Sequence, residues 1–283
     1  MERKVFSYKG KVVFERVSLP KPFKRFPKLF QENEACFMYL DKGGFAFRTP
    51  TSLLEVHEGQ AIVAKCGNYY IEQIPSQVSK HDAISVIGAY FYPEMVKDFF
   101  QTDLQLVDFR NNFDVQPSIV EPLMKSFIEG MNYLIDHPEL VDDNLIINKL
   151  KELLLLLGKT EHSIQDYVNA LFTPFEYDFK EIILENTYSN LSLAELAHLC
   201  GCSLATFKRR FNKYFEQSPA KYFLQKKLEK SIQLLTIHTL PIADIAYDCG
   251  FENVTHFNKA FKRQVGQTPS QVRMSQKDKK LSC

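Results

Sequence analysis

Two stretches of this chain repeat each other and carry, at matching positions, side chains able to hydrogen-bond and to bind anions. The first reads Leu193-Ala-Glu-Leu-Ala-His-Leu-Cys-Gly-Cys-Ser-Leu-Ala-Thr-Phe-Lys-Arg-Arg-Phe211. The second reads Ile242-Ala-Asp-Ile-Ala-Tyr-Asp-Cys-Gly-Phe-Glu-Asn-Val-Thr-His-Phe-Asn-Lys-Ala-Phe261. Their first halves align at an offset of 49; after one inserted residue the second halves align at 50, which pairs Phe207 with Phe257, Phe211 with Phe261 and Pro219 with Pro269. Each copy predicts two helices joined by a sharp turn. Ala194 and Ala197, or Ala243 and Ala246, are small where a second helix must cross closely, while Leu193 and Leu196, or Ile242 and Ile245, face a core. Gly201 and Gly250 stand where the chain leaves the first helix, because glycine tolerates the left-handed conformation. Ser203 and Asn253 are suited to cap the second helix.

That second helix (about 203–214 and 253–265) buries its phenylalanines and presents a polar face. In the first copy the face carries Thr206, Lys208, Arg209 and Lys213; in the second it carries Thr255, His256, Asn258, Lys259 and Lys262. Donors and acceptors set beside cations are what the base edges and phosphates of double-stranded DNA require. A single such pattern fits any αα-hairpin. Two copies, each with a basic outer face, favour nucleic acid. The alternative is a signal-binding or protein-interaction module whose helix-turn-helix units contact protein instead.

Other chemistry finds little support. Cys200 and Cys202 form a Cys-x-Cys in the first turn, with Cys249 at the matching place in the second, and a redox or metal switch competes there with simple burial of small residues. The six cysteines (Cys36, Cys66, Cys200, Cys202, Cys249, Cys283) are scattered, so neither a disulfide framework nor a four-ligand zinc site is expected. His57 and His81 do not form the His-x-His cluster of a metal-dependent cupin enzyme. With no Gly-rich phosphate loop and no nucleophile elbow, no catalytic residue, cofactor or metal is assigned, and the chain is read as a non-enzyme.

The elements that must carry the repeat follow from periodicity. Within residues 1–92, alternating runs at Val12–Val17, Ala35–Leu40 and Phe45–Arg48 are broken at Asp41–Gly44, Glu58-Gly59 and Gly67-Asn68, which predicts short strands in a small barrel or sandwich. A hairpin is expected between Tyr39 and Phe47. From residue 93 to 175 the period turns helical: a helix opens at Pro93, another runs Ser118–Asp136, and a third begins near Asp142. This third helix lines up Ile146, Leu150, Leu153, Leu154 and Leu157, as either a dimer seam or ordinary core. Two further helices are expected between Gly158 and Asn190, separated by Thr173-Pro174.

The 283 residues suffice for two domains, 1–175 and 176–283, and 45% hydrophobic with 24% charged residues is the balance of a folded protein. The net charge of +1 conceals a division: Asn190–Cys283 holds 15 Lys and Arg against 7 Asp and Glu, and the preceding residues hold 20 against 27. A basic C-terminal third is where polyphosphate would bind. No apolar run is long enough to span a bilayer and no signal peptide opens the chain, so a cytoplasmic protein without a membrane partner is expected.

Leu191–Arg273 resembles the DNA-binding domain of AraC/XylS transcription regulators. The resemblance rests on Ile242-Ala-Asp-Ile-Ala246, Cys249-Gly-Phe251, His256-Phe-Asn-Lys-Ala-Phe-Lys-Arg263, Gly266-Gln-Thr-Pro-Ser270 and, in the first half, Ser218-Pro-Ala-Lys-Tyr222. It implies a central helix over about Pro219–Leu235 and two recognition helices about 34 Å apart in successive major grooves. By motif position it assigns base contacts to Thr206, Lys208 and Arg209, and to Thr255, His256, Asn258 and Lys259; Ala205 and Val254 would offer only apolar contact. Arg209 suits a bidentate pair with guanine and Asn258 with adenine. The fold implied is α+β: an N-terminal β-rich, cupin-like barrel with trailing helices, then an all-α domain of two helix-turn-helix units. The layout is similar to the subgroup that activates secretion genes under the control of protein partners. A promoter or operator, RNA polymerase, a small-molecule or protein effector at the N-terminal domain and a second copy of the chain are the partners implied.

Overall fold

A computed structural model describes residues 2–20, 22–23, 25–29, 34–65, 67–74, 83–100, 113–160, 164–173, 175–237 and 240–281. The chain forms two compact units, Met1–Glu176 and Tyr177–Cys283.

In the first unit the strands are β1 (Glu2–Tyr8), β2 (Lys11–Pro20), β3 (Arg25–Leu29), β4 (Ala35–Lys42), β5 (Gly44–Arg48), β6 (Leu53–His57), β7 (Ala61–Ala64), β8 (Asn68–Glu72), β9 (Ala83–Phe91) and β10 (Val115–Ser118). They build two antiparallel sheets, one of six strands in the order β1-β2-β9-β4-β7-β10 and one of four in the order β3-β8-β5-β6. The β1–β2 hairpin turns on Lys9 and Gly10, both at positive φ (49° and 76°), a backbone twist that matches the strands. The expected hairpin between Tyr39 and Phe47 does not form. β4 pairs with β7 and β9, whereas β5 pairs with β6 and β8. The register of β4 slips between Leu40 and Lys42, and Gly43 follows at φ 88°, so the chain turns a corner from one sheet into the other.

Helices α1 (Pro93–Phe100), α2 (Pro122–Asp136), α3 (Asp143–Leu157) and α4 (Ile164–Phe172) follow. The helical reading of 93–175 needs correction at β10, which pairs with β7 and takes up Ser118; α2 therefore starts at Pro122 and not at Ser118. Phe14 of β2 meets Phe127 of α2 at 6.4 Å, joining sheet and helices in one core. The α3 stripe belongs to that core: Ile146, Leu150, Leu153, Leu154 and Leu157 are at most 8% exposed in the single chain. That burial leaves them unavailable as a dimer seam.

The second unit is helical: α5 (Phe179–Glu185), α6 (Leu193–Leu199), α7 (Leu204–Phe215), α8 (Pro219–Ile237), α9 (Ile242–Asp248), α10 (Val254–Val265) and α11 (Pro269–Leu281). It has two small cores. Phe179, Ile183, Leu196, Ala197, Phe207, Phe211 and Tyr222 make one. The other gathers Leu228, Leu235, Ile245, Ala246, Phe257, Ala260 and Phe261, among others. α8 supplies Tyr222 to the first and Leu228 and Leu235 to the second, so a single helix holds both.

Candidate nucleic-acid interface

The two helix-turn-helix units share the chemistry of their turns and of the caps that open their second helices, while their first helices start differently: α9 follows Pro241 with no side-chain cap. α6 is capped by Ser192, whose side chain accepts from the Glu195 amide while Glu195 bonds back to the Ser192 amide. It ends at Gly201, φ 62°, where the amides of Gly201 and Cys202 donate to the carbonyls of His198 and Ala197. α9 ends the same way at Gly250, φ 76°, with the amides of Gly250 and Phe251 donating to Tyr247 and Ala246. Both are Schellman endings, which need a left-handed residue at that point. At Gly250 a side chain is also excluded by space, since a Cβ would lie 2.6 Å from the Tyr188 carbonyl oxygen. The inserted residue of the second copy falls in this turn, between Gly250 and Asn253. Ser203 then accepts from the Thr206 amide to open α7, and Asn253 accepts from the His256 amide to open α10.

Two fully buried phenylalanines set the phase of each second helix: Phe207 and Phe211 in α7, Phe257 and Phe261 in α10. At about 100° per residue the side chains away from them face solvent. Lys208, Arg209 and Lys213 are exposed on α7, and Thr206 is half-buried beside its cap. Thr255, His256, Asn258, Lys259 and Lys262 are all exposed on α10. The structure thus gathers the expected residues on one solvent-facing side of each helix. Ala205 is exposed, whereas Val254 packs against the second core and offers less to a ligand than the sequence suggested.

Two exposed residues on the same faces were not foreseen, Asn212 and Arg263. Their signal was already in the repeat, because at an offset of 50 they are the partners of Lys262 and Lys213. Arg210 behaves oppositely: it follows Arg209 but is half-buried, with its guanidinium carbon 4.4 Å from the ring centre of Phe179.

The turn thiols are not primed for redox chemistry. Burial pushes Cys200 up to about 12 and Cys249 up to about 11, and it raises Cys202 as well. A thiol held protonated is a poor nucleophile and a poor ligand. Cys200, Cys202 and Cys249 are free thiols, while Cys66, Cys283 and His81 lie outside the described residues. Among the described residues no group of His, Cys, Asp and Glu is arranged to hold a metal, and no helix is long and apolar enough to cross a membrane.

Comparison with known proteins adds two family matches. A family described as a helix-turn-helix domain matches residues 196–275, and one described as the ExsA N-terminal regulatory domain matches residues 35–167. The virulence regulon transcriptional activator VirF of Yersinia enterocolitica is 21% identical over 253 residues, covering 88% of this chain and 92% of VirF. The thermoregulatory protein LcrF of Yersinia pestis is 25% identical over the same shares of the two chains. The HTH-type transcriptional regulator ExsA of Pseudomonas aeruginosa is 26% identical over 156 residues, 54% of this chain and 55% of ExsA.

Proposed function

The chain belongs to the AraC/XylS family of DNA-binding transcription regulators, and we propose that it reads promoter DNA by laying α7 and α10 in successive major grooves. One observation carries this reading: two units with matching turns and capped second helices each expose a cationic, hydrogen-bonding face while burying the opposite one. In the first groove Arg209 pairs with guanine, flanked by Thr206 and Lys208, and Lys213 lies toward a phosphate. In the second, Thr255, His256, Asn258 and Lys259 face base edges, with Lys262 on the backbone. Asn212 and Arg263 join the two sets by position. Bidentate pairs discriminate bases, whereas lysines beside the groove add sequence-independent attraction.

Residues 1–175 regulate or dimerise and residues 176–283 bind DNA. VirF is named a transcriptional activator; carried to this chain, that role means contact with RNA polymerase at the promoter. An effector, small molecule or protein, then acts on residues 1–175. The test is selection of genomic fragments by the full-length protein, beside the double variant Arg209→Ala/Lys259→Ala. Enrichment of a motif with two short blocks about one helical turn apart, lost in the variant, is the expected result. No enrichment by the wild-type protein refutes the reading.

A further inference from the structure

Lys208, Arg209 and Arg210 make a continuous basic run, yet Arg210 does not share the face of its neighbours. Its guanidinium lies against Phe179, the first residue of α5, and Phe179 is only 3% exposed. The same ring stacks on Tyr214 at 5.5 Å and 26° and meets Phe207 at 5.7 Å. Phe207, Arg210 and Tyr214 form an i, i+3, i+7 stripe, so one side of α7 closes around a single ring. The charge of Arg210 also reaches the Cys202 thiol in the turn, countering part of the rise that burial gives its pKa. One guanidinium therefore braces α7 against α5.

The second unit is held by other means. Fifty residues on from Arg210 stands Ala260, 5% exposed and packed in the second core. The cations that brace this unit come from α8 and α11, and Arg273 of α11 donates to the Leu240 carbonyl at 2.6 Å. Lys227 Nζ donates to the Gly250 carbonyl at 2.7 Å and lies 5.8 Å from the Phe251 ring centre, and Lys230 Nζ donates to the Asp248 carbonyl at 2.9 Å. Both meet the carbonyl-rich end of α9, where a positive charge is favoured. The support of α10 thus comes from α8, α9 and, through Val272, α11, and Lys230 also lies 4.2 Å from the ring centre of Tyr188, three residues beyond α5. The support of α7 runs to α5, the helix by which the chain enters this unit.

We propose that Arg210 is a positioning residue: by gripping Phe179 it sets the angle at which the first recognition helix meets its half-site, while the second, with no counterpart of this grip, is set by its packing on α8, α9 and α11. The inference rests on the DNA-docking reading above. A bidentate contact from Arg209 depends on the direction of its fork, so a small tilt of α7 weakens choice between bases more than attraction to phosphate.

The test measures full-length protein on a panel of operator duplexes, each with one base pair changed in the first or the second block. Arg210→Ala and Phe179→Leu are expected to reduce discrimination about 2- to 30-fold in the first block, the range of a partly desolvated cation–π contact. Discrimination in the second block and the salt dependence stay as in the wild type. Arg210→Lys recovers part of the loss, since an ammonium keeps the charge over the ring but not the stacked plane. Equal losses in both blocks, or none in either, overturn the proposal. A shallower salt dependence in Arg210→Ala does so too, because it makes Arg210 a phosphate contact. A wild-type protein that prefers no sequence overturns the DNA reading as well, and that outcome is seen before any variant is compared.

Discussion

Removing one exposed lysine from a recognition helix should change how binding responds to salt, and by a calculable amount. The exposed faces of α7 and α10 carry six cations: Lys208, Arg209, Lys213, Lys259, Lys262 and Arg263. Each phosphate neutralised on duplex DNA contributes about 0.9 to the slope of log affinity against log salt. Counting all six sets a ceiling, since Arg209 and Lys259 are assigned to bases: the slope is then about −5.4, and raising salt from about 50 to about 200 mM costs roughly a thousandfold in affinity. Lys262 sits in the last turn of α10, away from the capped end that enters the groove, so it is the residue expected to touch only the backbone. Lys262→Ala should then flatten the slope by about 0.9, which shrinks the loss over that salt range by about 3.5-fold. Operator and random duplexes should weaken alike. Fluorescence anisotropy of labelled duplexes at four or five salt concentrations measures both slopes. A Lys262→Ala slope equal to that of the wild type removes Lys262 from the interface. A wild-type protein nearly indifferent to salt refutes the argument at its root and favours helix-turn-helix units that meet protein.

Three further outcomes are expected. Arg209→Ala should lose about 1–3 kcal/mol on the operator and relax preference at a single base pair; equal losses on random duplexes in a binding competition would demote it to a phosphate contact. Gly250→Ala and Gly266→Ala both place alanine at positive φ (76° and 81°), but only at Gly250 does the new Cβ meet a backbone oxygen, at 2.6 Å. The left-handed backbone costs each about 1–2 kcal/mol, and crowding adds about 1–3 kcal/mol at Gly250 alone, so equal shifts in the C-terminal unit's calorimetric transition would contradict the geometry. Lys65, 2% exposed, donates to the Thr173 carbonyl at 3.0 Å, and burial lowers its ammonium to about 8. Below that pH the folded state carries the full cost of a buried charge; as pH rises from about 8 towards the unfolded value near 10.5, the folded protein releases the proton first, and the first unit should gain about 2–3 kcal/mol by pH 10. Lys65→Met should abolish that rise, and a denaturation series showing the same rise in both proteins would exclude Lys65 as its source.

The C-terminal half was legible because its information is local. Caps, turn glycines and buried phenylalanines all act within one repeat, and the repeat supplies its own control through the two offsets. The N-terminal half is built from distant pairings. Phe14 stands opposite Ala89 in the six-stranded sheet, a partnership that no periodicity encodes. Conversely β4 and β5 are neighbours in sequence yet belong to different sheets, so turn residues that look like a hairpin mark a corner instead. β10 escaped notice for a related reason. It is four residues long, contains Pro117, and survives as an edge strand through its pairing with β7.

The basic run in α7 marks where this local legibility stops within the site itself. Phe207 and Phe211 fix the helical phase, and phase alone turns Arg209 outward. It leaves Arg210 on a flank, where the meaning of a cation depends on what stands beside it. What stands there is Phe179, delivered by a different helix outside the repeat. No comparison of the two copies could have supplied it, because the second copy has Ala260 at that position and draws its cations from α8 and α11. Sequence similarity between the units therefore reports their shared turn chemistry and not their mechanical equivalence. Two helices that look alike along the chain rest on different supports: α7 on the Phe179 ring held by Arg210, α10 on the core it shares with α8 and α11.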